Sequence, residues 1–255
     1  MEIRKILFAT DVEDQSLALN LLKQVLPLQE LGLEKMFFLQ TIPFDIWIEG
    51  LSASKVEAKI IVDEDLSFSR ILEAAEEEDV SLIVANFGKN KTKSSRGLII
   101  RKLIRQSIRP ILFANNIDQM TEIDKKGLFS HIIFATDWSV ESEKALSYLL
   151  GLKRILGELE IINVIDRKLT VRDMRELKEK LVQTRKKFLN EKIDAESHIY
   201  AGKTLEEILT AAKDYKATMV VIGGDSEKRR IEGLFKKGSS YKIANETPVP
   251  VLVIT

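Results

Sequence analysis

Apolar, β-branched runs alternate with amphipathic stretches along the whole chain. In the first part, Ile6–Ala9, Met36–Ile42, Val56–Val62, Ser81–Ala85 and Pro110–Ala114 read as strands. Between them Leu17, Leu21, Val25 and Leu28 recur at helical spacing, with Asp14 or Ser16 as N-cap and Gly32 as the stop. Leu66, Ile71, Leu72 and Ala75 give a second helix over Leu66–Glu78, and Leu98–Gln106 a third. Pro43–Ser54 reads as a loop too short for a crossover helix, with Trp47 set to fold it down as a plug, and Lys89–Arg96 as a basic loop. The polar stretch Ile117–Gly127 reads as a linker.

Beyond the linker the same parts return in the same order. Phe8-Ala9-Thr10-Asp11 recurs letter for letter as Phe134-Ala135-Thr136-Asp137, 126 positions later. A helix over Glu141–Leu156 follows, then strand Leu159–Ile165 and a long charged helix, Thr170–Asn190, which the first copy lacks. Strand Glu196–Tyr200, helix Leu205–Asp214, strand Thr218–Ile222, helix Ser239–Asn245 and strand Val251–Thr255 complete the second copy. The offset drifts to 137 at Ser81 and Thr218, and to 140 at Pro110 and Pro250, through the extra helix and a longer loop. A duplicated unit of alternating strands and helices predicts an α/β fold: two tandem doubly wound five-stranded parallel sheets, Rossmann-like or flavodoxin-like, with helices on both faces. The expected units are 1–116 and 128–255, joined by 117–127.

Composition narrows the class. The 255 residues suffice for two cores, with 45% hydrophobic and 31% charged residues. No run approaches the roughly 18 apolar residues of a membrane span, and MEIRKILFATD lacks a signal peptide's apolar stretch. Zero cysteines excludes disulfide and thiolate chemistry, and cytoplasmic residence is expected. Net charge is zero, with 17 basic and 20 acidic residues up to Gly127 against 22 and 19 beyond it. Nothing there marks a nucleic-acid partner.

The candidate chemistry lies in Thr218–Ser240. There a buried-strand run ends at Ile222, Gly223 and Gly224 break it, and Gly238-Ser239-Ser240 opens a helix-like segment. Glycines admit an anion close to backbone N–H groups, and a helix start offers unpaired donors and a positive dipole end. An ordinary βα connection reads the same way. In a doubly wound sheet, ligands sit at the carboxyl ends of the strands, where Asp137 and Gly223-Gly224 can meet in one crevice.

This combination resembles the universal stress protein family, as a tandem of two such domains. The resemblance rests on Ile133–Asp137 with Ser139 and Ser142, Asn163-Val164-Ile165-Asp166, Tyr200-Ala201-Gly202-Lys203, Val221–Gly224, Gly238-Ser239-Ser240 and Pro248–Val253. It implies an adenine-nucleotide alpha-hydrolase-like fold, packed as an intrachain pseudo-dimer through the final strands, and a non-catalytic stress-response role. It also implies an adenine nucleotide, ATP or AMP, with Mg2+ only beside a triphosphate. The implied site is Ala135, Thr136, Asp137, Val164, Ile222, Gly223, Gly224, Ser226, Gly238, Ser239 and Ser240. Asp137 and the Val164 backbone would hold the adenosine, and the glycine loop with its serines the phosphates. ATP-binding members carry G-x2-G-x9-G-[ST]. Here Ser226 stands where the second glycine belongs, and eleven residues separate it from Gly238. Lys228, Arg229, Arg230, Lys236 and Lys237 either offset a triphosphate's charge or form a solvated surface.

The first copy departs further. Asn86 stands at the position of Gly223, Ile100-Arg101 replaces the Gly-Ser at the helix start, and Gln40-Thr41 replaces Asn163-Val164. Asp11 remains, in a position where an aspartate also serves as a helix cap. The first copy therefore reads as a built-in partner. Gly223-Gly224-Asp225-Ser226 is also close to the SGGxDS loop of adenylating enzymes, but lacks one spacer and follows the wrong strand. His131 and His198 are the only histidines; far apart in sequence, they read as structural or surface residues without metal-ligand spacing. Trp138 suits either a lid over a purine or a hydrophobic staple at a helix start. The rival function is a nucleotide-free interaction module whose helices dock a protein partner, and association of two chains is left open.

Overall fold

The computed structural model describes residues 2–11, 15–41, 46–64, 66–87, 93–114, 126–224 and 239–255. Among these residues ten strands build one sheet. β1 (Lys5–Thr10), β2 (Lys35–Gln40), β3 (Glu57–Val62), β4 (Leu82–Asn86) and β5 (Ile111–Phe113) come from the first half. β6 (His131–Ala135), β7 (Glu158–Ile165), β8 (Ala195–Ala201), β9 (Met219–Gly223) and β10 (Val251–Ile254) come from the second. The order is β3-β2-β1-β4-β5-β10-β9-β6-β7-β8. Every pairing is parallel except the central one, where Leu112 faces Leu252 between antiparallel β5 and β10. Since Leu112 and Leu252 are the 140-residue equivalents of each other, the two halves meet about a pseudo-two-fold through that pair. The prolines at 110 and 250 precede strands at the middle of the sheet.

Two periods of the sequence explain the two cores. Alternate strand residues such as Phe8, Phe38, Phe134, Ile161 and Val221 enter one cluster. Their sequence neighbours Leu7, Phe37, Ile133, Ile162 and Ile222 enter the other. The first core is covered by α1 (Gln15–Val25), α2 (Ile46–Leu51), α5 (Val140–Gly151) and α6 (Val171–Asn190). The second is covered by α3 (Phe68–Glu77), α4 (Lys93–Gln106), α7 (Thr204–Asp214) and α8 (Ser239–Glu246). α4 and α8 pack on each other across the two-fold, with the Arg101 guanidinium 5.4 Å from the centre of the Tyr241 ring. α6 is opened by a capping box between Thr170 and Asp173 and buries Leu177, Leu181, Thr184 and Phe188.

Three elements differ from the sequence reading. The helix over 15–25 gives way to a 3-10 turn at Leu26–Leu31, where Pro27 lacks the N–H that would continue an α-helix. Pro43–Ser54 contains a helix, α2, in place of a bare loop. α4 starts at Lys93, within the expected basic loop, so Ile100 and Arg101 lie inside the helix and not at its start. Ile100 is fully buried there, in contact with the second core.

The plug reading of Trp47 matches its place. The indole is fully buried, stacks on Phe38 with ring centres 4.5 Å apart, and lies 5.9 Å from Phe8. Its Nε1 donates to Gln40 Oε1 at 2.7 Å, which satisfies the one polar atom of the ring. In the second half Phe188 of α6 meets Phe134 at 6.2 Å, edge to face. A six-residue helix with a large aromatic thus does for the first half what a twenty-residue helix does for the second. Trp47→Ala should cost about 3–5 kcal/mol of unfolding free energy, from the lost burial and the cavity, read as a lowered urea midpoint. A Phe in its place should recover most of it but leave Gln40 Oε1 without its donor.

Candidate functional site

The crevice at the carboxyl ends of β6, β7 and β9 is built from short, local devices. β6 ends at Ala135, and the Thr136 N–H continues the ladder to Ile162 O at 2.9 Å. Asn163 Nδ2 donates to Thr136 O at 2.8 Å, fixing the ends of β6 and β7 together. The chain then turns through Trp138, at φ +54°, a left-handed conformation of about 1–2 kcal/mol for a residue with a Cβ. Thr136 Oγ1 offsets it by accepting from Trp138 N at 3.1 Å, and the indole Nε1 donates to Thr184 Oγ1 of α6 at 3.0 Å. Trp138 therefore faces α6 and is not a lid over the crevice; Lys180 lies 5.6 Å over its ring.

Asp137 directs the next step. Its Oδ1 accepts from Ser139 N at 3.1 Å, closing an Asx-type turn, and from Ser142 Oγ at 2.7 Å. Ser139 caps α5 by accepting from Ser142 N at 3.2 Å. One carboxylate oxygen is thus committed to opening a helix, while the other lies buried at the strand end. Val164 sits beyond the last β6 pairing, Ala135 with Ile162, and beside Tyr200 on β8. Next to it, Asn163 Oδ1 is buried without a hydrogen-bond partner among the described residues. A buried amide oxygen left so is a cost that a bound donor would remove.

β9 delivers Ile222 and Gly223. The two glycines do different work from that expected of a phosphate loop. Among the described glycines, only Gly32 and Gly127 have positive φ. A Cβ on Gly223 would stand 2.7 Å from the backbone of Glu141 and Ser142, so the missing side chain lets β9 abut the first turn of α5. Gly224 N donates to Ile254 O at 2.7 Å, extending the β9–β10 pairing. Ser239 begins α8, and the buried Ser240 returns its hydroxyl to Gly223 O at 3.2 Å. The helix start is thereby pinned against the end of β9. Ser226, Gly238 and the cations Lys228, Arg229, Arg230, Lys236 and Lys237 lie outside the described residues.

Beside these groups a cleft of about 760 Å³ opens between the ends of β7 and β8 and the start of α8. Arg167, Lys168, Lys203 and Lys242 line it with Ser239, against the acids Asp166 and Glu206. Lys203 Nζ pairs with Glu206 Oε1 at 2.8 Å. The size is that of a small-molecule site, and the excess of cations suits an anion. Sequence reasoning looked for these cations in the glycine loop; in the structure they follow β7 and β8, next to the Asp166 and Gly202 of the resemblance motifs. Ala135, Thr136, Asp137, Val164, Ile222, Gly223, Gly224, Ser239 and Ser240 gather at this end of the sheet.

The first half does not repeat the arrangement. Asn86 replaces Gly223 and is buried, its carbonyl accepting from Asp11 N at 3.4 Å. Gln40 occupies the place of Asn163 and is taken up by Trp47.

Residues 128–255 match the model of the Universal stress protein family. A universal stress protein from Archaeoglobus fulgidus DSM 4304 is similar in structure over 97% of this chain and 95% of its own, at 20% identity and a TM-score of 0.68. A second solved structure, from Pseudomonas aeruginosa UCBPP-PA14 and described as a putative universal stress protein, covers 99% of this chain and 93% of its own, at 16% identity and a TM-score of 0.68. No curated protein matches the chain.

Gly223→Ala should lower stability by about 1–3 kcal/mol, because the contact it meets is backbone that cannot swing away. Gly224→Ala, whose Cβ would meet Ile254 O at 3.3 Å, should cost less. Denaturant midpoints of the two variants give the comparison.

Proposed function

Because the chain belongs to the universal stress protein family, we propose that it is a non-catalytic stress-response protein that binds an adenine nucleotide, ATP or AMP, in its second half. The proposed division is a unit over 1–116, a linker over 117–127 and the binding unit over 128–255. The observation that carries the reading is the convergence of Asp137, Val164, Gly223, Gly224, Ser239 and Ser240 at one end of the sheet. They gather beside a cleft whose four cations outnumber its two acids. The residues present fit the adenosine part. The buried Asn163 Oδ1 has no donor among the described residues, and Val164 stands past the end of β6, at the strand level where adenine would lie.

In this reading Asp137 receives a hydrogen bond from the adenosine, and the Val164 backbone lines the base. Ser226, Gly238 and Ser239, with the backbone N–H of Ser240, donate to phosphate oxygens at the positive end of α8. Lys203, Lys242 and Arg167 add charge attraction from the β8 side. Mg2+ accompanies the ligand only as the partner of a triphosphate. Asp137 Oδ1 is committed to Ser139 and Ser142 at the start of α5, and in this reading the nucleotide is bound and not turned over. The first half, with its crevice replaced by Gln40, Trp47 and Asn86, acts as a permanent partner for the second.

Purified protein should release an adenine-absorbing compound on denaturation, or take up ATP in calorimetry with one site per chain. Gly238→Asp, which sets a carboxylate at the phosphate position, should weaken ATP by at least about tenfold, roughly the 1.4 kcal/mol of one unfavourable charge contact. Lys242→Glu should weaken ATP more than adenosine. A chain that releases no nucleotide and binds neither ATP nor AMP would leave the nucleotide-free interaction module as the function.

A further inference from the structure

At the other end of the same strands the parallel register assembles a polar cluster on the face covered by α7 and α8. His131 of β6 pairs with Glu158 of β7, Glu160 with Glu196 of β8, and Ile162 with His198. Neighbours in register share a face, so two histidines and three carboxylates point the same way. Glu160 is 7% exposed, at the margin of a core otherwise filled by Ile133, Ile162 and Val220. Its Oε1 lies 3.1 Å from His131 Nε2, and its Oε2 lies 2.7 Å from His198 Nε2. Glu196 Oε2 stands 3.9 Å from the same His198 nitrogen, and Glu158 Oε2 3.5 Å from His131 Nδ1. Among the described residues, no lysine or arginine pairs with Glu158, Glu160 or Glu196. Tyr215 closes one side, its ring 5.0 Å from His198 and 6.2 Å from His131. Tyr200 hydrogen-bonds Tyr215, and its phenol is pushed up to about 12, first by burial and then by that bond, with the charge of Glu160 among the smaller causes.

A buried carboxylate is costly without a positive partner. Here the groups facing it are imidazoles, which are the commonest metal ligands, and a second carboxylate. We propose that His198 Nε2, Glu160 and Glu196 form a binding site for a divalent transition cation of the zinc class, with His131 holding Glu160 from behind. The three ligand atoms all lie within 4.8 Å of one another. Tetrahedral coordination at bond lengths of about 2.0–2.1 Å requires ligand atoms about 3.3 Å apart. The observed 2.7 and 3.9 Å fall on either side of that spacing. Glu196 is exposed and can swing inward, and the metal takes the place of the proton shared by His198 and Glu160. His131 then supplies the hydrogen bond that orients a ligating carboxylate. Imidazole with carboxylate favours zinc, iron, cobalt or nickel over calcium or magnesium, which take oxygen alone. The cation reaches His198 through a cleft of about 600 Å³ along β8, lined also by Tyr200, Tyr215 and Lys178. The site shares no residue with the nucleotide crevice and does not depend on it.

The test is a titration of the full chain, freed of metal by a chelator, with Zn2+ alone near neutral pH, followed by calorimetry and thermal melting. Binding of one equivalent and a rise in Tm are expected, and Co2+ in place of Zn2+ should give the visible absorption of a low-coordinate site. His198→Ala and Glu196→Gln should lose affinity at least about 100-fold and about 10-fold, and His131→Gln about 10–100-fold. Glu196 is exposed, so its variant keeps the test valid should the others fold poorly. Absence of heat and of a melting shift in the unaltered protein at large zinc excess overturns the proposal, leaving a hydrogen-bonded cluster only. Equal affinity in the unaltered chain, His198→Ala and Glu196→Gln overturns it as well.

Discussion

The antiparallel pairing of β5 with β10 is the contact on which the rest of the architecture depends. Each half of the chain ends in a short strand that would otherwise expose a row of unpaired N–H and C=O groups. Joining the two turns a pair of five-stranded sheets into one of ten strands. Because the partners are covalently linked, the pairing is intramolecular and holds at any protein concentration. The same contact brings α4 against α8, so the helix that opens the second crevice is braced by the first half. A degenerate first copy is therefore not idle: it carries different residues at its strand ends while keeping the surfaces that support its neighbour.

That division of labour shows at equivalent positions. Gln40 and Asn163 are both buried amides at the end of a second strand. Gln40 Oε1 receives the indole of Trp47, a side chain of the same half, whereas Asn163 ties β7 to Thr136 and keeps an oxygen near Val164 without a partner among the described residues. Asn86 and Gly223 differ in the same sense, one filling space and the other leaving room for the first turn of α5. Small polar changes at strand ends, with the apolar interior retained, are what distinguish the two halves here.

Much of the fold was legible in the sequence because its signals are local. The repeated Phe-Ala-Thr-Asp, the buried runs and the helical stripe of Thr170–Asn190 each specify an element without help from distant residues. α2 was not legible: six residues that follow Pro43 and include Gly50 carry too little periodicity, and its stability comes from Trp47 reaching the core. The early start of α4 was hidden because Lys93–Arg96 is polar all round. At the site, the strand-terminal residues could be named, but the role of Gly223 could not, since only the fold brings Glu141 and Ser142 against it. The cluster at Glu160 was invisible for the same reason. Its partners stand 29 and 38 positions away, and only the register of three parallel strands joins them.

With the central seam closed, the outer margins of the sheet are β3 and β8. Both carry polar side chains, Glu57 and Lys59 on one and Glu196 and His198 on the other, and both are more open to solvent than the strands within. Fusion has thus moved the apolar strands β5 and β10 inward and left the more polar β3 and β8 outside. A chain built this way meets solvent at either flank with its more polar strands.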